Sequence, residues 1–163
     1  MLIREAKSRD LPVILDIMNE AILNTTSMYA YDAHTNATLH QWFIKKRLDK
    51  MPIFVCEVDH KAVAYSSFDT FRICDAYKFS VENAIYVHKD FRGRGIGKQL
   101  LNTLIDRAKK DGYHTMIAGI DSSNQGSYHF HEQLGFTEMG RFREVGYKFG
   151  RWLDLVFMQL MLA

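Results

Sequence analysis

The segment Glu82–Leu101, ENAIYVHKDFRGRGIGKQLL, sets two arginines and three glycines between an apolar strand pattern and an apolar helix pattern. Glycine loses more conformational freedom on folding than any other residue, so this spot must need bare backbone. A strand, a glycine turn and a helix N-terminus together make an anion site. The first N–H groups of the helix lack partners, and the helix dipole adds positive potential. Gly93, Gly95 and Gly97 let a phosphate approach the backbone, with Arg92, Arg94 and Lys98 at its sides and Ile96 opening the helix. Taken alone, the segment equally fits a tight strand-to-helix turn with solvated arginines.

Spacing rules out two nucleotide loops. A P-loop requires glycine five positions before the Gly97–Lys98 pair, where Arg92 stands, and Ser or Thr after the lysine, where Gln99 stands. A dinucleotide fingerprint requires G-x-G-x-x-G, whereas Gly93, Gly95 and Gly97 run G-x-G-x-G.

Outward from the loop, elements alternate. Val81, Ile85 and Val87 share one face of a strand, and Glu82, Ala84 and Tyr86 the other. Ile96, Leu100, Leu101, Leu104, Ile105 and Ala108 form one helical stripe that Gly112 ends. Upstream, LIREAK reads as a strand, and SRDLPVILDIMNEAIL as a helix capped by Asp10 with Pro12 in its first turn. A loop over NTTSMYAYDAHT leads to a second helix capped by Asn36. IFVCEVD and KAVAYSSFDTF then read as a hairpin turning near His60. Downstream come a buried strand HTMIAGID, a short helix ended by Gly135, and two closing strands. This order predicts one mixed α/β domain over residues 1–163, with a mixed sheet and helices on both faces.

Composition agrees with a single globular domain. Of 163 residues, 47% are apolar and 25% charged, and the net charge of +2 is too small to argue for nucleic acid. The first ten residues carry no apolar signal core and no apolar run approaches a membrane span. With only Cys56 and Cys74, the expected setting is a soluble cytoplasmic protein with reduced thiols. His129 and His131, two positions apart on a helix, point to different faces and cannot share an ion, so no metal site is expected.

DFRGRGIGKQLL resembles the pyrophosphate loop of the GNAT N-acetyltransferases, Arg/Gln-x-x-Gly-x-Gly/Ala, through Arg92, Gly95 and Gly97. A second family marker, an asparagine at the next strand-to-helix junction followed by a small residue and LGF, is matched by Asn124, Ser127 and residues 134–136. Within the superfamily, SVENAIYVH, HEQLGF and REVGYKFGRWLDLVFMQL look closest to the phosphinothricin and methionine sulfoximine acetyltransferases. The resemblance implies a twisted, mostly antiparallel mixed sheet flanked by helices, with acetyl-CoA as cosubstrate and a homodimer. It also implies backbone N–H groups of Ile85, Tyr86 and Val87 free at a splayed strand to hold the thioester and pantetheine arm. Donors of this kind are worth about 2.7–4 kcal/mol each in a transition state.

Acetyl transfer to an amine needs a base for the ammonium proton. Glu82, on the strand face opposite the apolar stripe, suits it, and the resemblance puts the catalytic carboxylate there; by pattern alone it reads as a surface glutamate. His131 stands where many GNAT enzymes carry a tyrosine that protonates the leaving thiolate. It reads either as that acid or a coenzyme ligand, or as a packed helix histidine. The resemblance suggests that Arg72, Ile73 and Cys74, with Glu82, Asn83 and Ala84, line the acceptor pocket. A guanidinium there suits a carboxylate or phosphinate, though Arg72 alone also reads as a loop arginine. SMYAYDAHT departs from the subfamily pattern, so Tyr29 and Tyr31 are expected at the pocket wall. The expected reaction is acetylation of a small amino-acid-like amine. The alternatives are acetylation of protein N-termini or lysines, and a coenzyme A-binding sensor without turnover.

Overall fold

The computed structural model describes all 163 residues. Seven strands form one sheet in the order β1-β2-β3-β4-β5-β7-β6. They are β1 (Leu2–Glu5), β2 (Ile53–Val58), β3 (Lys61–Thr70), β4 (Ser80–Val87), β5 (Thr115–Asp121), β6 (Thr137–Lys148) and β7 (Arg151–Met161). Every neighbouring pair is antiparallel except β4 and β5, which run parallel and are joined by helix α3 (Ile96–Lys110). A parallel pair demands such a crossover, and the amphipathic stripe of α3 provides it.

Helices cover both faces. The six stripe residues of α3 are all buried, in one core cluster with Phe54, Cys56, Phe68, Val81 and Met116. On the opposite face α1 (Leu11–Asn24) and α2 (Asn36–Leu48) bury Ile14, Ile17, Leu39 and Phe43 against Ile53, Val55 and Tyr65. Strand alternation thus sends neighbouring β2 residues to different cores. The β2–β3 turn places Asp59 and His60 at φ 49° and 63°, the paired left-handed residues of a tight hairpin. A fourth helix, α4 (Gln125–Gln133), follows β5, and Gly135 leaves it at φ 94°. No helix is long and apolar enough to cross a membrane. Both cysteines are free.

Of the two expected caps, one is displaced by a residue and the other keeps its position without making the cap bond. Thr35, not Asn36, caps α2, its side chain accepting from the Thr38 N–H, because Asn36 already lies inside the helix. Asp10 has helical backbone angles and makes no cap bond to α1, since a 3-10 turn over Ser8–Asp10 precedes that helix. Its carboxylate instead accepts from the Lys7 N–H at 2.8 Å and from the two terminal Arg4 guanidinium nitrogens at 2.8 and 2.9 Å. Burial works to raise the Asp10 carboxyl, but these bonds hold it below the ordinary aspartate value.

A group held down in this way stabilises the fold above its unfolded pKa and loses that contribution as the pH falls through its folded one. Asp10→Ala should therefore cost about 2–3 kcal/mol at neutral pH, the worth of a charge-assisted bond and its satisfied donors. The gap from wild type should narrow below the aspartate range. Urea unfolding at the two pH values measures it.

Candidate active site

β4 and β5 pair at only three positions, Ser80–Thr115, Val81–Met116 and Glu82–Ile117, and then part. On its other side β4 stays paired with β3 up to Val87. The parity of that ladder is set by two bonds, Phe71 N–H to the Ser80 carbonyl at 3.0 Å and His88 N–H to the Val63 carbonyl at 2.8 Å. Alternate residues of an antiparallel strand point their backbone groups to the same neighbour. Residues 80, 82, 84, 86 and 88 therefore face β3, while Ile85 and Val87 turn theirs into the fork. This corrects one expectation: the Tyr86 N–H is directed to its partner Tyr65, so the free donors are two and not three. Tyr86 still lines the fork.

A cavity of about 400 Å³ lies at the α3 N-terminus, lined by Arg92, Gly93, Gly95, Ile96, Gly97 and Lys98. One of about 50 Å³ continues from it into the fork, sharing Ser27, Ile85, Tyr86, Asn124 and Ser127. The first helical bond of α3 runs from the Gln99 N–H to the Gly95 carbonyl, so the N–H groups of residues 96–98 have no helical acceptor. Gly93 and Gly95 sit at φ 75° and 77°, with open space where a side chain would stand. Gly97 has another reason: a β-carbon there would come within 3.2 Å of the Phe130 ring. Arg92 is anchored, donating to the Val87 carbonyl at 3.2 Å and pairing with Glu20 at 2.9 Å. Lys98 reaches Gln133 at 3.1 Å. Arg94 does not line the cavity; it folds over Phe91, 4.8 Å from the ring centre, and bonds the Asp90 carbonyl. Asn124 caps α4, its side-chain oxygen accepting from the Ser127 N–H at 3.2 Å. Unpaired N–H groups, open glycines and anchored cations suit a pyrophosphate. The fork donors suit a narrow polar chain entering from it.

Glu82 stands at the base of the fork, half-buried, in the last pair before the strands part. Its Oε1 lies 2.9 Å from where a β-carbon of Gly119 would be, so the carboxylate lies across the bare β5 backbone of a residue that lines the smaller cavity, without lining it itself. Burial raises the Glu82 carboxyl above its ordinary value; Arg72 opposes that rise and Asp69 adds to it. Asp69 is the direct cross-strand partner of Glu82, and buried Lys46 clamps it at 2.6 Å. Tyr86, half-buried and near the Glu82 charge, is pushed up to about 12, chiefly by loss of solvent.

Other expected residues fall differently. Arg72 acts on Glu82 through its charge and stacks over Phe71 at 4.7 Å, but Arg72, Ile73 and Cys74 are all exposed, and none of them, nor Glu82, lines either cavity. Asn83, Ala84 and His131 line the smaller cavity, and the Asn83 amide is engaged with His131 and the Ile117 carbonyl. Tyr29 and Tyr31 are not wall residues. Tyr29 lies over Gly146 and donates to Asp121 at 2.8 Å, and Tyr31 donates to the Tyr147 carbonyl; from this loop only Ser27 reaches the cavities. Ile17 and Ala21 of α1, with Phe130, complete the larger cavity. The sequence pattern singled out neither α1 residue. No group of three or more His, Cys, Asp or Glu is arranged to hold a metal.

Residues 14–136 match the acetyltransferase (GNAT) family, and the chain belongs to it. It is an N-acetyltransferase with acetyl-CoA as cosubstrate. An L-methionine sulfoximine/L-methionine sulfone acetyltransferase of Pseudomonas aeruginosa is 42% identical over 161 residues, 98% of this chain and 94% of that protein. A phosphinothricin N-acetyltransferase of Alcaligenes faecalis is 32% identical, over 96% of this chain and 80% of its own. An acetyltransferase of Salmonella typhimurium solved with its cofactor acetyl-CoA is 39% identical, with a TM-score of 0.98 over 100% of this chain and 94% of that one. A ribosomal-protein-alanine N-acetyltransferase of Brucella melitensis is 40% identical, with a TM-score of 0.97 over 99% of both chains.

The Asp69–Glu82 pair gives a direct test of the site electrostatics. Removing the like charge with Asp69→Asn should lower the Glu82 titration midpoint, because the glutamate then ionises without a neighbouring anion. Carboxyl carbon NMR of wild type and variant measures the shift; an unmoved or raised midpoint would contradict it.

Proposed function

We propose that the protein transfers acetyl from acetyl-CoA to the α-amine of a small amino-acid-like acceptor of the methionine sulfoximine, methionine sulfone or phosphinothricin type. The observation that carries this reading is Glu82: a half-buried carboxylate with no hydrogen-bond partner in the protein, beside the Arg72 charge at the base of the fork. An amine that carries an acidic group meets a base and a guanidinium there. The relatives that act on such acceptors support the choice.

In this reading the N–H groups of residues 96–98, with Arg92 and Lys98, hold the pyrophosphate, and Asn124 and Ser127 line the path of the pantetheine arm. The Ile85 and Val87 N–H groups face the fork, where one of them donates to the thioester oxygen as charge develops on it. Glu82 takes a proton from the ammonium, directly or through one water. The freed nitrogen forms its bond to the acetyl carbon as the carbon–sulfur bond breaks; of its two protons one ends on sulfur and the other stays on the amide. Acetyl-CoA supplies the activated acyl group.

A second reading is acetylation of a protein N-terminus, favoured by the likeness to the Brucella enzyme. The exposed aromatic surface of β6 and β7, including Phe142, Tyr147 and Trp152, with Phe149 between them, suits a homodimer contact. Two free thiols, one of them exposed, suit the reducing cytoplasm.

Thiol release from acetyl-CoA, followed with methionine sulfoximine, methionine sulfone, phosphinothricin, a polyamine and an alanine-terminated peptide, tests the acceptor. Turnover is expected on the amino-acid analogues, and Glu82→Gln should lower it by about 10²–10⁴-fold, the usual worth of a general base. Turnover on the peptide alone would replace the proposal by the second reading; no release with any amine would overturn both. Light scattering should give a dimer mass for wild type and a monomer mass for Trp152→Glu. A monomeric wild type removes the dimer proposal.

A further inference from the structure

We propose that His131 is a positioning residue: through Asn83 it holds β4 where β4 and β5 part, and it does not deliver a proton to the leaving sulfur. The ring is 2% exposed, stacked on Phe130 with centres 4.7 Å apart and set edge-on to Phe136 at 5.0 Å. Its Nδ1 lies 2.7 Å from the Ser127 carbonyl, one turn back on α4, with the Ser127 hydroxyl at 3.4 Å. Its Nε2 lies 3.2 Å from the Asn83 Oδ1, and the Asn83 amide nitrogen donates to the Ile117 carbonyl at 3.4 Å. Ile117 is the partner of Glu82 in the final β4–β5 pair. The contacts of the ring thus run from the first turn of α4 to Asn83, the β4 residue next to the crotch of the fork.

The proton inventory follows from these contacts. No carboxylate touches the ring, and burial pushes the imidazole down to about 4 against the opposing Ser127 bond, so it is neutral at physiological pH. A neutral imidazole has one N–H, and a carbonyl at 2.7 Å claims it for Nδ1. Nε2 is then an acceptor, so the Asn83 carboxamide, which has its oxygen toward Nε2 and its nitrogen toward the Ile117 carbonyl, turns its NH₂ to the ring by a half-turn and gives up the longer 3.4 Å bond to Ile117. One nitrogen of the ring has no proton to give, and the proton on the other is bound within its own helix.

What the ring can do is hold Asn83. That residue is the first of β4 beyond the last parallel pair, and its backbone, like those of Ile85 and Val87, faces the fork. Fixing Asn83 fixes the direction in which β4 leaves β5, and with it the line of donors that meets the thioester. The inference uses the acetyl-transfer reading only to say what enters the fork, and its first two readouts need no acceptor.

Nitrogen-15 NMR of the imidazole in the intact protein is the direct test, between about pH 5 and 8, where histidine ordinarily titrates. A single proton on Nδ1 throughout is expected; a ring protonated at Nε2 at pH 7 would overturn the proposal. Calorimetry with acetyl-CoA then compares wild type, His131→Phe, Asn83→Ala and the double variant. Each single change should weaken binding by about tenfold, a cost in the range of small displacements, with little further loss in the double because the two residues act as one unit. The kcat on whichever acceptor turns over should follow the same non-additive pattern. A full additional loss of kcat from His131→Phe in the Asn83→Ala background would mean that the ring acts on the reaction independently. If His131→Phe does not fold, Asn83→Ala decides alone: unchanged acetyl-CoA binding sinks the proposal.

Discussion

The molecule depends on an unfinished strand pairing. β4 and β5 share three residue pairs and then separate, while β4 keeps its full ladder with β3. Backbone N–H groups inside a protein are almost always paired, so a strand edge opened within a sheet is costly unless something else uses it. Here the open edge carries the Ile85 and Val87 donors and runs into the cavity at the N-terminus of α3. The same crossover that makes the pair parallel also delivers that helix terminus to the mouth of the fork. One topological choice therefore supplies both the donors for a polar chain and the site for an anion at its end.

Around the fork, close approaches replace side-chain bulk. Gly119 leaves β5 bare where the Glu82 carboxylate lies across it, and Gly97 lets α3 start against Phe130. The carboxylate is tuned by neighbours on different elements: burial raises its pKa, Arg72 counters, and Asp69 reinforces, itself clamped by Lys46 from α2. The loop after α1 is kept out of this machinery. Tyr29 is tied to Asp121 and packed over Gly146, and the buried Lys148 ammonium donates to the Thr25 and Met28 carbonyls at 2.7 and 2.6 Å. That strap sets where Ser27 meets both cavities and leaves the aromatic side chains of the loop for structure.

Much of this was legible in the sequence. The six-residue stripe of α3 was readable because a 3.6-residue period survives in one dimension, and all six residues are buried. The glycine loop was readable for a related reason: positive φ at Gly93 and Gly95 and an uncapped helix start are local backbone demands. The same holds for the Glu82 face, since strand alternation is also local. The α2 cap was misplaced by one residue because Thr35 and Asn36 are both good cap residues side by side, and Asp10 stands at the α1 cap position but its carboxylate is taken by Arg4 and the Lys7 N–H.

Only the tertiary structure decided what depends on neighbours far apart in the chain. Whether the Tyr86 N–H is free turns on ladder parity, set by bonds from Phe71 and His88 to partners across β3 and β4. Whether His131 can give a proton depends on a carbonyl one turn away, an amide on β4 and burial between two phenylalanines. Arg94 and Arg92 look alike in sequence, yet one folds over Phe91 while the other is fixed by Glu20 of α1. The sequence by itself determined the elements and the anion loop, because local periodicity and backbone freedom are written residue by residue. The packed structure decided which donors and charges are available, because availability depends on which partners the fold brings to each group.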